Sequence, residues 1–336
     1  MKITFFEVPK KEHEIFINGL VGMEVSLFEE KLTEENVGLA KDSDIVSVFV
    51  NSVVSKNIIE AMPALKLICT RSAGFDHVDR ETCATKGILV SNVPAYGTKT
   101  VAEFAFALLL SLSRKIFDAD RQLKEEGDFS IYKLQGFDLN EKTIGVIGTG
   151  KIGKNAVRIA KGFNMKVLAC DSYPDLAFAK EMDFEYKSLE EVVAVSDVIT
   201  LHAPYNKDNH HLINKDIVSK MKKGIYVINT ARGELIDTDA LIWGLHEGII
   251  GAAGLDVMEG ERELKEEIEI LSDENKREKV KDYKTLFEDR VLIEMPNVII
   301  TPHIAFYSKE AEGEIIKTTI ENMKGFISNA PQNLVK

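Results

Sequence analysis

The chain is short of several things, and each shortage narrows what it can be. Only three of its 336 residues are cysteine: Cys69, Cys83 and Cys170. An odd, widely spaced set offers neither a disulfide framework nor metal-ligand spacing, so no metal is expected. Cys69 and Cys170 sit at the ends of apolar runs that read as buried strands, where a free thiol behaves as a small hydrophobe. Unpaired thiols fit a reducing cytoplasm. Positive charge is scarce too, since 42 Lys and Arg face 54 Asp and Glu for a net charge of −12. Binding to phosphate backbones or anionic membranes needs clustered basic residues, so neither nucleic acid nor a membrane surface is an expected partner. A small anionic ligand must instead meet a local positive group inside a pocket. Long apolar runs are missing: the most apolar helical stretch, 101–112, carries Glu103 and falls short of a membrane span. The opening MKITFFEVPKK lacks the apolar length and cleavage site of a signal peptide.

What is present is a soluble globular composition, 45% hydrophobic and 29% charged, in a chain long enough for two domains. Short apolar runs alternate with helical patterns, which predicts parallel sheets covered by helices. The first series of strands is expected at 3–8, 45–50, 65–70 and 88–91. A long helical stretch without Pro or Gly follows at 100–124. The second series is expected at 143–148, 166–170, 197–201, 225–229 and 252–255, with a last strand at 298–301 and a helix near 308–328. The segment 261–290 is highly charged and reads as a solvated helical insertion.

The most informative motif is Gly148-Thr149-Gly150-Lys151-Ile152-Gly153. It follows an apolar strand and opens a helix of roughly 151–162, the context that gives a G-x-G-x-x-G meaning. Gly148 permits a tight turn, Gly150 lets a pyrophosphate approach the backbone, and Gly153 lets helix pack on strand. The N–H groups of the helix start, at Lys151 and Ile152, then face the phosphates. Asp171 ends the next strand, 18 residues after Gly153, where a carboxylate accepts from ribose hydroxyls and repels a ribose phosphate. The cofactor is therefore expected to be NAD.

Further segments occur in order: LHAPY at 201–205, INTARGELIDTDAL at 228–241, GLDVMEGE at 254–261 and TPHIAFY at 301–307. With RSAGFDHVD at 71–79 and NVPAYGTKTVAEF at 92–104, the chain resembles the D-isomer-specific 2-hydroxyacid dehydrogenases, most closely their D-lactate branch. The resemblance implies two doubly wound parallel α/β domains, a Rossmann NAD-binding domain (100–298) inserted into a flavodoxin-like substrate domain (1–99 and 299–336). It places the active site in the cleft between them. It also implies a homodimer built through the 100–124 helix.

The same resemblance assigns roles. Arg232 matches the catalytic arginine, whose planar fork suits a carboxylate and its neighbouring carbonyl better than a lysine does. His303 matches the proton donor, a side chain that titrates near neutrality. Glu261 matches its carboxylate partner, although Glu259 lies close by. Ala73 and Gly74 would offer backbone N–H groups to the substrate carboxylate, and Tyr96 and Phe306 would wall the pocket. Ala203, Pro204 and Asn209 would flank the adenosine, while Thr230, Ala231 and Asp256 would surround the nicotinamide. The expected reaction is reversible reduction of a small 2-keto acid, pyruvate first, to the D-2-hydroxy acid. Glyoxylate or hydroxypyruvate reductases and NAD-sensing corepressors resemble the same body. The D-lactate branch often has an aromatic residue after its second long strand, where this chain has Asn51, which leaves the choice among keto acids open.

Overall fold

A computed structural model describes residues 1–261 and 283–335. The chain divides into two compact units, Met1–Tyr96 with Tyr307–Lys336, and Gly97–Phe306.

The smaller unit holds five strands: β1 (Lys2–Phe5), β2 (Glu24–Leu27), β3 (Ile45–Val48), β4 (Leu67–Thr70) and β5 (Leu89–Ser91). They pair in parallel in the order β2-β1-β3-β4-β5, the doubly wound 2-1-3-4-5 arrangement. Successive side chains point to opposite faces, and helices cover both, so the strands are continuously apolar. Ile45, Leu67 and Cys69 pack with Phe16 and with Ile316 and Met323 of helix Lys309–Ile327. Val46 and Ile68 face the other way, against Ile58, Ile59 and Cys83. Beneath the turn after β4, Arg71 is buried and donates to the Phe6 and Glu7 carbonyls and to Ser47 Oγ. Burial pulls its pKa down to about 10.

The larger unit holds β6 (Thr143–Ile147), β7 (Lys166–Cys170), β8 (Glu185–Tyr186), β9 (Val198–Leu201), β10 (Ile225–Asn229), β11 (Ile250–Leu255) and β12 (Val298–Ile300). All are parallel, in the order β12-β11-β10-β9-β6-β7-β8. Counted from β6 this is the Rossmann order 3-2-1-4-5-6 with one added strand. One face packs on helices Thr100–Ser113 and Lys151–Gly162, the other on helices Leu189–Val195, Lys215–Ser219 and Thr238–His246. The fold class expected from the sequence is the one observed.

Four details differ from the sequence reading. Strands β2 and β8 were not anticipated, because each is a half-exposed edge strand without an apolar run. The 100–124 stretch is not one helix: Lys115 adopts a left-handed φ of 55°, which ends Thr100–Ser113 and starts Ile116–Arg121. Strand β12 pairs with β11, so the larger unit runs on to Phe306 instead of stopping at 298. Within the charged insertion, 262–282 lie outside the described residues. Its end belongs to helix Tyr283–Glu294, where Asp289 is fully buried and Glu288 nearly so. That helix packs through Leu292 into the core of the second face, so this part of the insertion is not simply solvated.

Burial pushes the Asp289 carboxyl up to about 7, and the nearby Glu259, Glu288 and Glu261 carboxylates push in the same direction. A carboxyl held neutral in the folded state and ionised in the unfolded chain destabilises the fold as pH rises from about 4, the ordinary Asp value. The loss is complete once pH passes about 7. Asp289→Asn should therefore remove part of the fall in thermal midpoint between pH 5 and pH 8, as measured by calorimetry. An unchanged pH slope would show that Asp289 is ionised in the fold.

Candidate active site

The glycine turn links β6 to helix Lys151–Gly162. Gly148 has φ 90°, and a Cβ there would stand 2.6 Å from the Ala203 nitrogen, so the turn lies directly against the end of β9. At Gly153 a Cβ would stand 1.9 Å from the Gly148 carbonyl oxygen, which only glycine allows. At Gly150 a Cβ would meet nothing within 4 Å. Gly150 also occupies the N-cap, and no side chain caps the helix, leaving its first N–H groups, at Lys151 and Ile152, without a side-chain acceptor. An open cradle at an uncapped helix start suits a phosphate.

Asp171, just past β7, accepts from the Thr149 N–H at 2.5 Å, from Thr149 Oγ1 at 2.8 Å and from the Tyr173 N–H at 2.8 Å. Burial works to raise its pKa, but the Thr149 and Tyr173 donors outweigh it and hold the carboxyl below the usual range. It is thus an anion tied to the glycine turn. Thr149, whose hydroxyl also meets Tyr186, is the residue of this group that the motif alone did not mark. On the other flank, Asn209 belongs to the short turn Lys207–Asn209, closes a reciprocal cap with Asn206, and donates to the Pro204 carbonyl at 2.7 Å. Its amide therefore shapes the 204–209 loop. His202, beside Ala203, is buried and lowered to about 4 by desolvation. Thr230, beyond β10, keeps a buried hydroxyl without a hydrogen-bond partner. A buried orphan hydroxyl together with the open Gly150 cradle fits a dinucleotide.

The residues expected to carry the chemistry, Arg232, Glu261 and His303, follow the carboxyl ends of β10, β11 and β12, where open α/β sheets collect their ligands. Asn229 clamps the first turn, accepting from the Ala231 N–H and donating to the Arg232 carbonyl. Arg232 Nη1 donates to the Ala231 carbonyl at 2.7 Å. Gly233 lets this turn lie against the next segment, because a Cβ there would stand 2.1 Å from the Met258 carbonyl carbon. Glu261 takes the Met258 N–H on one oxygen and His303 Nδ1, at 2.9 Å, on the other. Glu259 faces elsewhere, to His211 Nε2 at 2.7 Å and Thr238 Oγ1 at 3.1 Å.

His303 is itself in the left-handed region, φ 55°, a conformation uncommon for residues other than glycine. Asp256 imposes it. Its carbonyl accepts the His303 N–H, and its carboxylate accepts Thr301 Oγ1 at 2.5 Å and the N–H groups of Ile304 and Ala305. Asp256 is almost wholly buried, and burial raises its pKa despite those donors. The sequence reading placed Asp256 against the nicotinamide carboxamide. In the structure its carboxylate is committed to the turn that carries His303, because three donors of that turn converge on it.

Phe306 ends the larger unit, half-buried. Ala73, Gly74 and Tyr96 lie in the smaller one. The 72–74 turn is held through its carbonyls, Gly74 by Ser72 Oγ and Ala73 by Asn92 Nδ2. Asn51 is tied by its N–H and its amide to Glu7, whose carboxylate also accepts from Phe49 and Ser52. Asn229, Gly233 and Glu7 escaped the sequence reading; of these, Gly233 had a signal, its place directly after the arginine.

Comparison with known proteins shows the family. Residues 106–305 match the D-isomer specific 2-hydroxyacid dehydrogenase, NAD binding domain. The chain is 38% identical over 327 residues to a D-lactate dehydrogenase of Escherichia coli, with 96% of each covered. It is 38% identical to an aromatic 2-oxoacid reductase of Clostridium sporogenes, covering 97% of this chain and 96% of that one. Its fold superposes with a TM-score of 0.86 and 35% identity on D-lactate dehydrogenase from Aquifex aeolicus complexed with NAD and lactic acid, over 98% of this chain and 96% of the other. The chain belongs to the D-isomer specific 2-hydroxyacid dehydrogenase family. It is an NAD-dependent D-2-hydroxyacid dehydrogenase, with NAD as its cofactor.

The three glycines of the turn make separable predictions for the cofactor-free protein. Gly148→Ala and Gly153→Ala force contacts with backbone atoms and should each cost upwards of about 1 kcal/mol in urea unfolding. Gly150→Ala meets open space and should change stability by less than about 0.5 kcal/mol, as surface substitutions do. Equal losses at all three would refute the packing described.

Proposed function

We propose that the enzyme interconverts pyruvate and D-lactate, with Arg232, Glu261 and His303 carrying the chemistry. The observation that supports this most directly is the His303–Glu261 pair, 2.9 Å apart, set beside the Arg232 turn by the Gly233 contact. Glu261 is fixed by the Met258 N–H, so it holds the imidazole by Nδ1 and leaves Nε2 as the nitrogen that delivers the proton. The carboxylate fixes the orientation of the ring, so that Nε2 faces the substrate side. Arg232 presents its fork to the substrate carboxylate and draws electron density from the adjacent carbonyl oxygen. By the family resemblance, the N–H groups of Ala73 and Gly74 and the side chains of Tyr96 and Phe306 are further candidate substrate contacts. Bound NADH supplies the hydride. Glycine-turn residues 148–153, Asp171, Ala203, Pro204, Thr230 and Ala231 seat it, while Asn209 and Asp256 shape the loops around it. In the reverse direction His303 takes the proton back.

Two names among the relatives separate the candidate substrates, lactate and the aromatic 2-oxo acids. A panel of pyruvate, phenylpyruvate, hydroxypyruvate and glyoxylate with NADH, followed by chiral assay of product, decides between them. Pyruvate is expected to give the highest kcat/KM and a D product; preference for phenylpyruvate would move the assignment to the aromatic acids. His303→Ala should lower kcat about 10²- to 10⁴-fold while NADH affinity is kept. An unchanged rate would remove His303 from the mechanism.

We further propose a homodimer, with its contact at the end of the 100–124 stretch and in the residues that follow it. Most apolar side chains of helix Thr100–Ser113 are buried in their own core, with Phe104 and Leu110 half-buried and Ala107 exposed. Just beyond it Ile116, Phe117, Phe129, Ile131 and Tyr132 are exposed, Phe129 and Ile131 to nearly 90%. Such a patch needs cover. A cytoplasmic location agrees with the three free cysteines. Among the described residues, no helix is long and apolar enough to cross a membrane. Phe129→Asp with Ile131→Asp should convert a dimer to a monomer in sedimentation velocity, and a wild-type monomer would end the dimer reading.

A further inference from the structure

The loop after β9 and the segment after β11 bring together three groups that the dehydrogenase chemistry does not use. His210, His211 and Glu259 each offer one ligand atom, and these atoms lie within 4.8 Å of one another. The ordinary explanation covers two of them: His211 Nε2 meets Glu259 Oε1 in a 2.7 Å hydrogen bond. It does not cover His210. That side chain is exposed, yet its ring stacks on His211 with centroids 3.8 Å apart and 25° between planes, and the edge of Tyr205 backs it at 6.0 Å. Two adjacent histidines aim the same way here because His211 has a left-handed φ of 52° and donates its N–H to the Glu234 carbonyl. In an extended strand, neighbouring side chains would diverge.

We propose that His210, His211 and Glu259 form a site for a first-row divalent transition-metal ion, with Zn2+ the natural occupant. Two imidazoles and one carboxylate are the donor set that Zn2+ accepts with a fourth, open position for water. Imidazole-rich sites disfavour Mg2+ and Ca2+, which take oxygen ligands. Glu259 already has the outer support that metal ligands carry, since Thr238 Oγ1 donates to its second oxygen at 3.1 Å. Binding requires that the His211–Glu259 hydrogen bond open to admit the ion and that the exposed His210 ring turn out of its stack on His211. His210 sits on the exposed side, which provides the entry path.

The site stands apart from the proposed proton relay, because Glu261 and His303 are not among its ligands. The test uses the full-length, tag-free protein, stripped with chelator, and isothermal titration with Zn2+ and separately with Mg2+. One Zn2+ per chain is expected, with no Mg2+ binding, and a rise in thermal midpoint, since the ion binds the folded state. His210→Ala should weaken Zn2+ binding at least tenfold. It should leave the midpoint of the metal-free protein unchanged, because His210 is exposed. His211→Ala should abolish binding. Zn2+ affinity unaltered by His210→Ala, or no Zn2+ binding by the wild type, overturns the proposal. All these readouts are independent of turnover.

Discussion

The carboxylate of Asp256 is the interaction on which the carboxyl end of the larger sheet depends. A buried carboxylate is tolerated only when its oxygens are satisfied. Here Thr301 Oγ1 and the Ile304 and Ala305 N–H groups satisfy it, all from the turn after β12. The Asp256 N–H meanwhile donates to the Asn229 carbonyl, and Asn229 clamps the Arg232 turn. One residue therefore ties together the ends of three parallel strands. The left-handed conformation of His303 is a product of that knot, and the pairing of His303 with Glu261 rests on it.

Gly233 has the complementary role. Where Asp256 pulls segments together by hydrogen bonds, Gly233 lets them approach by the absence of a side chain, with the 232–233 turn against Met258. The distance between the guanidinium and the imidazole is thus set by backbone packing and not by the reactive side chains themselves. Such positioning by rigid elements is what keeps a catalytic constellation within tolerance.

Much of this was legible in the sequence. Strands buried on both faces leave apolar runs, so the central strands of both sheets were visible, as was the helix opened by the glycine turn. Edge strands β2 and β8 left no such trace. The break at Lys115 was hidden because a left-handed lysine carries no compositional mark, unlike glycine. Candidate site residues stood out where a residue type is chemically distinctive, as with Arg232 and His303. The site was unreadable where function depends on what a group touches. The three donors that hold Asp256 could not be read from its sequence context, and the choice between Glu259 and Glu261 acquired a physical basis only from their different partners. The convergence of His210 and His211 depends on a backbone angle that sequence does not announce.

The seven-stranded sheet ends in very short strands, two residues in β8 at one edge and three in β12 at the other. A strand that short exposes too few unpaired backbone groups to template another chain, which is how natural sheets blunt their edges. Sheet-to-sheet joining of two copies along this sheet is thereby disfavoured, in the crowded cell as in the test tube. Association is steered instead to side-chain surfaces, and the enzyme can carry a wide, fully parallel sheet without the fibre-forming hazard that open edges bring.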